Sequence, residues 1–511
     1  MMKNKRFKTK NLAVFFLIFA FALPTFAQKK DNMTNASNAA GNVFQPNSSP
    51  LVSLRIQFLT GSINDPQGKE GVASLTAAML SQGGSKKLTY DQITEQFNPL
   101  ATGFGAQVDK EMTTFVGQTH VDNLAKYYNL ISQMLLDPGF REDDFSRLKK
   151  NSIDFLKTTL REGNDEELGK ERLYNLIYAG HPYENHSIGK ISSLEKLTIQ
   201  DVKDFYAKNY TQANLVLGLS GGFDQKFSSQ LTTDFAKLPK GEKTARKIAA
   251  PALADGMKID IIKRETRATA ISMGFPIAVN RSHKDYAALA LVTAYFGQHR
   301  SSNSHLYERI RELRGLNYGD YAYIEYFPRG MYQFEPDPNL ARSSQIFQIW
   351  IRPVEPQNAN FALRAALYEY DKLAKNGLDQ QTFEETRQFL SKYVNILTQT
   401  KDDELGYALD SKFYGTPNFN EYMKSQLAKL TLADVNKAIK THLASNKMRI
   451  VIITKDAEAL RDEIVNNKPA TISYASPKPK EITDEDQLIF IHPIPVKAAD
   501  VTVTPVEQVF E

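Results

Sequence analysis

The chain has 511 residues, eight His and no Cys, and its 63 Lys and Arg against 58 Asp and Glu leave a formal charge of +5. Without Cys there are no disulfides, no thiolate catalysis, no Cys-ligated zinc and no lipid anchor on an N-terminal Cys. The whole excess of charge, Lys3, Lys5, Arg6, Lys8 and Lys10, lies before residue 28, where no acid occurs. The rest of the chain is therefore close to neutral and has no electrostatic basis for binding nucleic acid.

Those five cations precede an apolar run at 12–23 and then Pro24-Thr25-Phe26-Ala27, the order of a signal peptide (1–27) cleaved after Ala27. The run is too short for a stable membrane span, so the chain reads as exported, and the periplasm suits its bacterial-type signal and lack of Cys. About 484 residues remain, enough for two to four domains. Residues 28–50, rich in Asn, Ser, Ala and Lys, predict a flexible leader. Ordered structure is predicted from Leu51, with LVSLRIQFLTG (51–61) as a strand. After the polar turn Asn64-Asp65-Pro66-Gln67-Gly68, GVASLTAAML (71–80) predicts a helix that puts Ser74, Ala77 and Ala78 on one face. GFGAQVDKEMTTFVG (103–117) has a hairpin pattern.

The strongest organisational signal is a repeat. Leu194-Glu-Lys-Leu197-Thr198-Ile-Gln-Asp201-Val202 returns 233 residues later as Leu427-Ala-Lys-Leu430-Thr431-Leu-Ala-Asp434-Val435. In each copy Thr can cap a helix, and each helix leads into an apolar strand, NLVLGLSG (214–221) and MRIVIIT (448–454). Upstream, the strand at 51–61 and the helix at 71 match in pattern ATAISMGFP (268–276) and a helix around 287–296. The repeat implies two homologous α/β halves, an α+β chain of domains 51–238 and 258–467 joined by a linker at 239–257, where Pro239, Pro251 and Gly256 occur among several Lys. Beyond Asn467 the many prolines predict a non-helical tail (468–511) extended along a surface.

Chemistry is sparse. His181-Pro-Tyr-Glu184-Asn-His186 has metal-binding residue types, but Pro182 breaks helical spacing and the segment reads as a turn. His305 and Glu308 share a helical i, i+3 relation with His299 nearby, yet the flanking SSNS fits a capped, solvated helix start. No H-E-x-x-H, H-x-x-E-H, G-x-S-x-G or P-loop occurs, nor any nucleophile-base pair for unaided hydrolysis. LYERIRELRGLNYGDYAYIEYF (306–327) is denser: Arg311, Arg314 and Tyr318 can converge where a helix meets a Tyr-rich strand. They could donate to a carbonyl oxygen or oxyanion, or they could be an Arg on a solvated face and a Tyr in a half-buried strand.

Gly71-x-x-Ser74-x-x-Ala77-Ala78 resembles, in position, the Gly-x-x-His-x-x-Glu-His motif of the insulinase, pitrilysin and mitochondrial-processing-peptidase family of inverzincins. The resemblance continues through Ala179-Gly-His-Pro-Tyr183, the capped helix at Thr198 and Ile310-Arg311-Glu-Leu-Arg314-Gly-Leu-Asn-Tyr318, covering about residues 51 to 460. It implies two halves with mainly antiparallel sheets and helices packed on one face, closing with a second such unit around a peptide-holding chamber. It also implies that the zinc ligands and base are lost: Ser74 and Ala78 replace His, Ala77 replaces the base, and the distal Glu falls near Leu156-Lys157. Zinc lowers the pKa of water from 15.7 to roughly 7, worth on the order of 12 kcal/mol, and nothing here substitutes for it.

What the resemblance retains is Arg311 and Tyr318, placed as the family's pair that reaches from the second half to the substrate carbonyl. The sequence thus reads as a non-zinc subunit, with no cofactor of its own. It would act in trans with a homologous H-x-x-E-H partner that carries zinc and share its peptide substrate. The rival reading is an inactive peptide-binding or scaffold protein. Gly105, Ala106, Gln107 and Val108 match the family's edge strand, which takes up extended peptide by β-addition; an ordinary core hairpin is the alternative.

Overall fold

The computed structural model describes residues 41–511, apart from 244–247, 254, 299–300, 302–303, 331–332, 334–335, 444 and 475. Two sheets organise it. The first consists of β1 (Val43–Pro46), β2 (Leu51–Phe58), β3 (Gly103–Val108), β4 (Thr113–His120) and β5 (Leu215–Gly221), in the order β1-β5-β2-β4-β3. The second consists of β6 (Lys258–Lys263), β7 (Thr269–Ile277), β8 (Gly319–Tyr323), β9 (Gln345–Val354), β10 (Arg449–Thr454) and β11 (Val501–Pro505), in the order β11-β6-β10-β7-β9-β8. Replacing β1 to β5 by β6 to β10 converts the first order into the second, apart from the added β11. Even the exception to antiparallel pairing repeats, because β1 lies parallel to β5 and β6 parallel to β10.

Seven helices frame the sheets and the candidate sites: α1 (Val72–Gln82), α2 (Asp165–Ile177), α3 (Ile199–Asn209), α4 (Tyr286–Gly297), α5 (Lys401–Tyr414), α6 (Leu432–His442) and α7 (Lys480–Phe490). The repeated Thr residues start α3 and α6 with the same capping box. Thr198 accepts from the Asp201 amide while Asp201 accepts from the Thr198 amide, and Thr431 and Asp434 do the same.

Helices of the same half pack on one face of each sheet. The other face is covered by a helix of the opposite half. α2 crosses β7 and β10, and α5 crosses β5 and β2. The period of two in the strands explains how one strand serves two cores: Ile450 and Ile452 of β10 join the second-half core, while Val451 and Ile453 join the first-half core. On β2, Val52, Leu54, Ile56 and Phe58 face their own core, and the buried Ser53, Arg55 and Gln57 alternate with them. The two crossing helices carry a second repeat that local sequence reading does not single out, Asp165-Glu-Glu-Leu-Gly169 and Asp402-Asp-Glu-Leu-Gly406. Its Gly marks a close approach: a Cβ on Gly169 would lie 2.9 Å from Ser272 Oγ, and one on Gly406 2.4 Å from Pro338 Cγ and 3.2 Å from the Arg55 guanidinium carbon.

Two expectations are corrected and one falls outside the described residues. The signal peptide is the one that lies outside them. The leader does not stay flexible to residue 50, because Val43–Pro46 already forms β1; Phe44 packs against the first-half core and the backbone pairs with the edge of β5. The tail is not helix-free: α7 occupies the Pro-free stretch between Pro479 and Pro493, with Ile482 and Ile489 turned inward, and β11 extends the second sheet. Proline sets the limits of these elements without preventing them. The chain ends against the first half, where the Ile191 amide donates to the Phe510 carbonyl and Arg161 pairs with Glu511.

Candidate functional site

α1 begins where Asp65 accepts from the amides of Gly71 (2.7 Å) and Ala73 (2.8 Å), satisfying two donors that a helix start leaves unpaired. Burial pushes the Asp65 carboxyl up to about 7 against these bonds. Gly71 has φ 103°, and a Cβ there would meet the Ile188 carbonyl oxygen at 2.3 Å. Most of α1 is core; Ser74 and Ala78 are half-buried and, with Ala77, line a cavity of about 770 Å³.

The residues around that helix face do not fit zinc, which needs three protein ligands in a catalytic site. Ser74 offers one hydroxyl and the alanines offer nothing. At the position of the distal acid, Leu156 is buried in the core and Lys157 is exposed, while Phe155 and Thr159 turn to the cavity. The acids that line the cavity have partners of their own. Asp402 pairs with Arg55, Glu167 with Lys170, and Glu171 accepts from Tyr326 Oη at 2.9 Å. His186 is held below the ordinary imidazole range by burial, and its Nδ1 accepts from the Ile188 amide at 3.0 Å.

β3 forms the edge of the first sheet and another wall of the cavity through Gly105, Ala106, Gln107 and Val108. A Cβ on Gly103 or Gly105 would meet nothing within 4 Å, so the strand is open to solvent there. Towards its other end Gln107 Nε2 donates to the carbonyls of Pro338 (2.9 Å) and Asn339 (3.1 Å) of the second half. Beyond it, the turn to β4 is fixed by buried polar contacts across the two halves. Arg342 donates twice to Asp109, at 2.7 and 2.5 Å, and Ser343 Oγ donates to Glu111 at 2.9 Å.

Arg311 and Tyr318 do converge. The guanidinium carbon lies 4.5 Å from the Tyr318 ring centroid and 4.6 Å from that of Tyr307, and Nη1 donates to the Tyr318 carbonyl at 3.3 Å. Arg311 sits on a π-helical turn, Tyr307–Glu312, and Tyr318 immediately precedes β8 in a turn tied by Asn317 Nδ2 to Asp320 at 2.6 Å. Tyr318 is 57% exposed. Neither residue lines the cavity beside α1. Arg314 does not join them: it is buried and donates to Asp486 and Glu485 of α7, each at 2.8 Å, and to the Arg309 carbonyl. The sequence could not anticipate this, because the predicted extended tail supplies both acids.

The other histidines considered as ligands have protein partners. His181 Nε2 meets the Ala249 carbonyl at 2.8 Å, and His305 lies between Tyr295 Oη (2.9 Å) and Glu369 (2.8 Å). His299 lies outside the described residues.

A doubled α+β architecture, an edge strand beside a cavity and a metal-helix position without donors define an inactive relative of two-half zinc peptidases. Residues 43–190 match the insulinase family (peptidase family M16) and residues 196–390 match the peptidase M16 inactive domain. The chain belongs to the M16 peptidase family. It is similar to the non-peptidase homolog YmxG of Helicobacter pylori, with 22% identity over 79% of this chain and 89% of the relative. A solved peptidase M16 inactive domain from Pseudomonas fluorescens superposes with a TM-score of 0.71 and 25% identity, covering 81% of this chain and 96% of that one. The periplasmic protease PqqL of Escherichia coli shares the fold at a TM-score of 0.63 and 15% identity, with 85% of this chain covering 50% of its length.

Proposed function

We propose that this chain is the non-zinc subunit of an exported heterodimeric M16 peptidase, in which Arg311 and Tyr318 act in trans on the substrate carbonyl at the zinc of an H-x-x-E-H partner. One observation carries the reading: an Arg–Tyr pair, stacked and solvent-facing, stands in a chain whose own α1 has no zinc ligand set. A guanidinium and a phenol held together suit the developing oxyanion of a tetrahedral intermediate. The match of this chain to half the length of PqqL supports a chamber completed by a second unit. Export rests on the N-terminal sequence and on likeness to that periplasmic protease; among the described residues no helix is long and apolar enough to cross a membrane.

The test is reconstitution with the zinc-carrying M16 chain that co-purifies from the native host. Arg311→Ala and Tyr318→Phe are each expected to lower kcat by about 10²–10³ while leaving assembly intact. Full activity in both variants would refute the role.

A second reading, an inactive peptide-binding protein, is favoured by the open β3 edge beside a cavity large enough for a peptide segment. Recovery of the chain with bound peptides and no M16 partner would select it.

A further inference from the structure

The turn before α4 and the last residue of α6 bring together His283, Asp285 and His442, whose ligand atoms all lie within 4.8 Å of one another. We propose that these three residues bind a divalent transition-metal ion, zinc being the best match, at a site separate from the cavity beside α1. Among the described residues no other group of His and carboxylate side chains approaches metal-binding geometry. None of the three lines the cavity.

The donor set selects the class of ion. Two imidazoles and one carboxylate suit Zn²⁺, Co²⁺, Ni²⁺ or Cu²⁺, whereas Mg²⁺ and Ca²⁺ prefer all-oxygen shells. With bonds of roughly 2.0–2.2 Å, tetrahedral zinc ligands lie about 3.3 Å apart. Here one Asp285 oxygen lies 2.7 Å from His442 Nε2 and 4.0 Å from His283 Nδ1, so the two distances bracket that separation. Small rotations of three partly buried side chains would equalise them, and water can complete the shell from the more open His283 side.

The backbone already holds the ligands. The His283 amide donates to the Asn280 carbonyl at 2.9 Å, and the Tyr286 amide donates to the His283 carbonyl at 3.0 Å, which closes the turn around Asp285. The Asp285 amide donates to His283 Nδ1 at 3.1 Å, so the lone pair of neutral His283 lies on that nitrogen and would exchange the amide for the ion on binding. The two rings stand nearly perpendicular, at 88°, with centroids 5.4 Å apart. Lys284, the nearest cation in sequence, is exposed.

α4 occupies in the second half the place of α1 in the first, and here the ligands sit at its end, where they would tie it to α6. A metal at this point would join the two helices, and zinc found in this chain alone would not signal a metal site beside α1.

The test is titration of the purified, chelator-treated chain with Zn²⁺ by calorimetry and with Co²⁺ by visible absorption. One ion per chain is expected, with a Co²⁺ ligand-field band characteristic of nitrogen and oxygen donors. His283→Ala, Asp285→Asn and His442→Ala should each weaken binding at least tenfold, roughly the minimum cost of losing even an outer partner, with circular dichroism unchanged. If His442→Ala disturbs folding, His442→Gln keeps a donor to Asp285 and gives the same reading. Absence of binding at micromolar metal, or binding that persists in the folded His283 and His442 variants, would overturn the proposal and leave a His–Asp ion pair.

Discussion

The two halves have the same strand order and the same Thr–Asp helix caps, yet they differ in what they expose. The first half surrounds α1 with a cavity and presents β3 as an open edge, but its helix face consists of Ser74, Ala77 and Ala78. The second half has an additional strand, β11, on its outer side, an ionic network that anchors α7, and the solvent-facing Arg311 and Tyr318. Shared topology therefore preserves the scaffold while permitting loss of chemistry in one half, because the sheet and caps depend on backbone and core positions that the active-site residues do not touch.

Five substitutions would break or sharpen that comparison. The largest effect is expected where the halves meet. Arg342→Ala leaves Asp109 buried without its cation and should destabilise the chain by about 3–5 kcal/mol, read as a lowered midpoint in urea. If the halves fold as one unit, both cores should unfold in the same transition. Next is Arg311→Ala in the reconstituted peptidase, a loss of about 2.7–4 kcal/mol of transition-state stabilisation with no accompanying loss in urea resistance. A comparable drop in stability would assign Arg311 to the scaffold.

Third, Glu369→Gln probes the ionic network found only in the second half. Burial raises the Glu369 pKa, but hydrogen bonding and charge from His305, with Lys372 and Arg309, outweigh it and hold the carboxyl at about 2 against an ordinary 4.5. A depressed carboxylate contributes fully above the unfolded pKa and loses that contribution as pH falls through the folded one. The variant should be less stable by on the order of 3 kcal/mol at neutral pH, and the difference should shrink from pH 4.5 toward 2. A difference constant with pH would exclude the ionic explanation. Last, Thr198→Ala and Thr431→Ala should each cost about 1 kcal/mol. A clear inequality between the two would show that the equivalent caps support unequal packing.

Much of the architecture was legible locally. The duplication is visible in two copies of one capped helix leading into a strand, and the stripped metal face in Ser74, Ala77 and Ala78 at i, i+3 and i+4, a relation set by helix geometry alone. The pairing of Arg311 with Tyr318 also lay within seven residues. The expected partner Arg314 was misplaced because its acids come from α7, 171 and 172 residues further along the chain. The crossing helices left a trace, the repeated Asp-x-Glu-Leu-Gly, whose glycines had no local purpose until Ser272, for Gly169, and Pro338, for Gly406, were in place.

The sequence by itself determined the repeated elements, their order and the identity of Ser74, Ala77 and Ala78 on the face of α1, since periodicity, capping and residue identity act within a few positions. Only the tertiary structure decided that α2 and α5 exchange sheets, that the Pro-punctuated tail adds a helix and a strand, and that His442 meets Asp285 across 157 residues. Those outcomes depend on which distant surfaces can be buried together, and no short stretch of sequence carries that information.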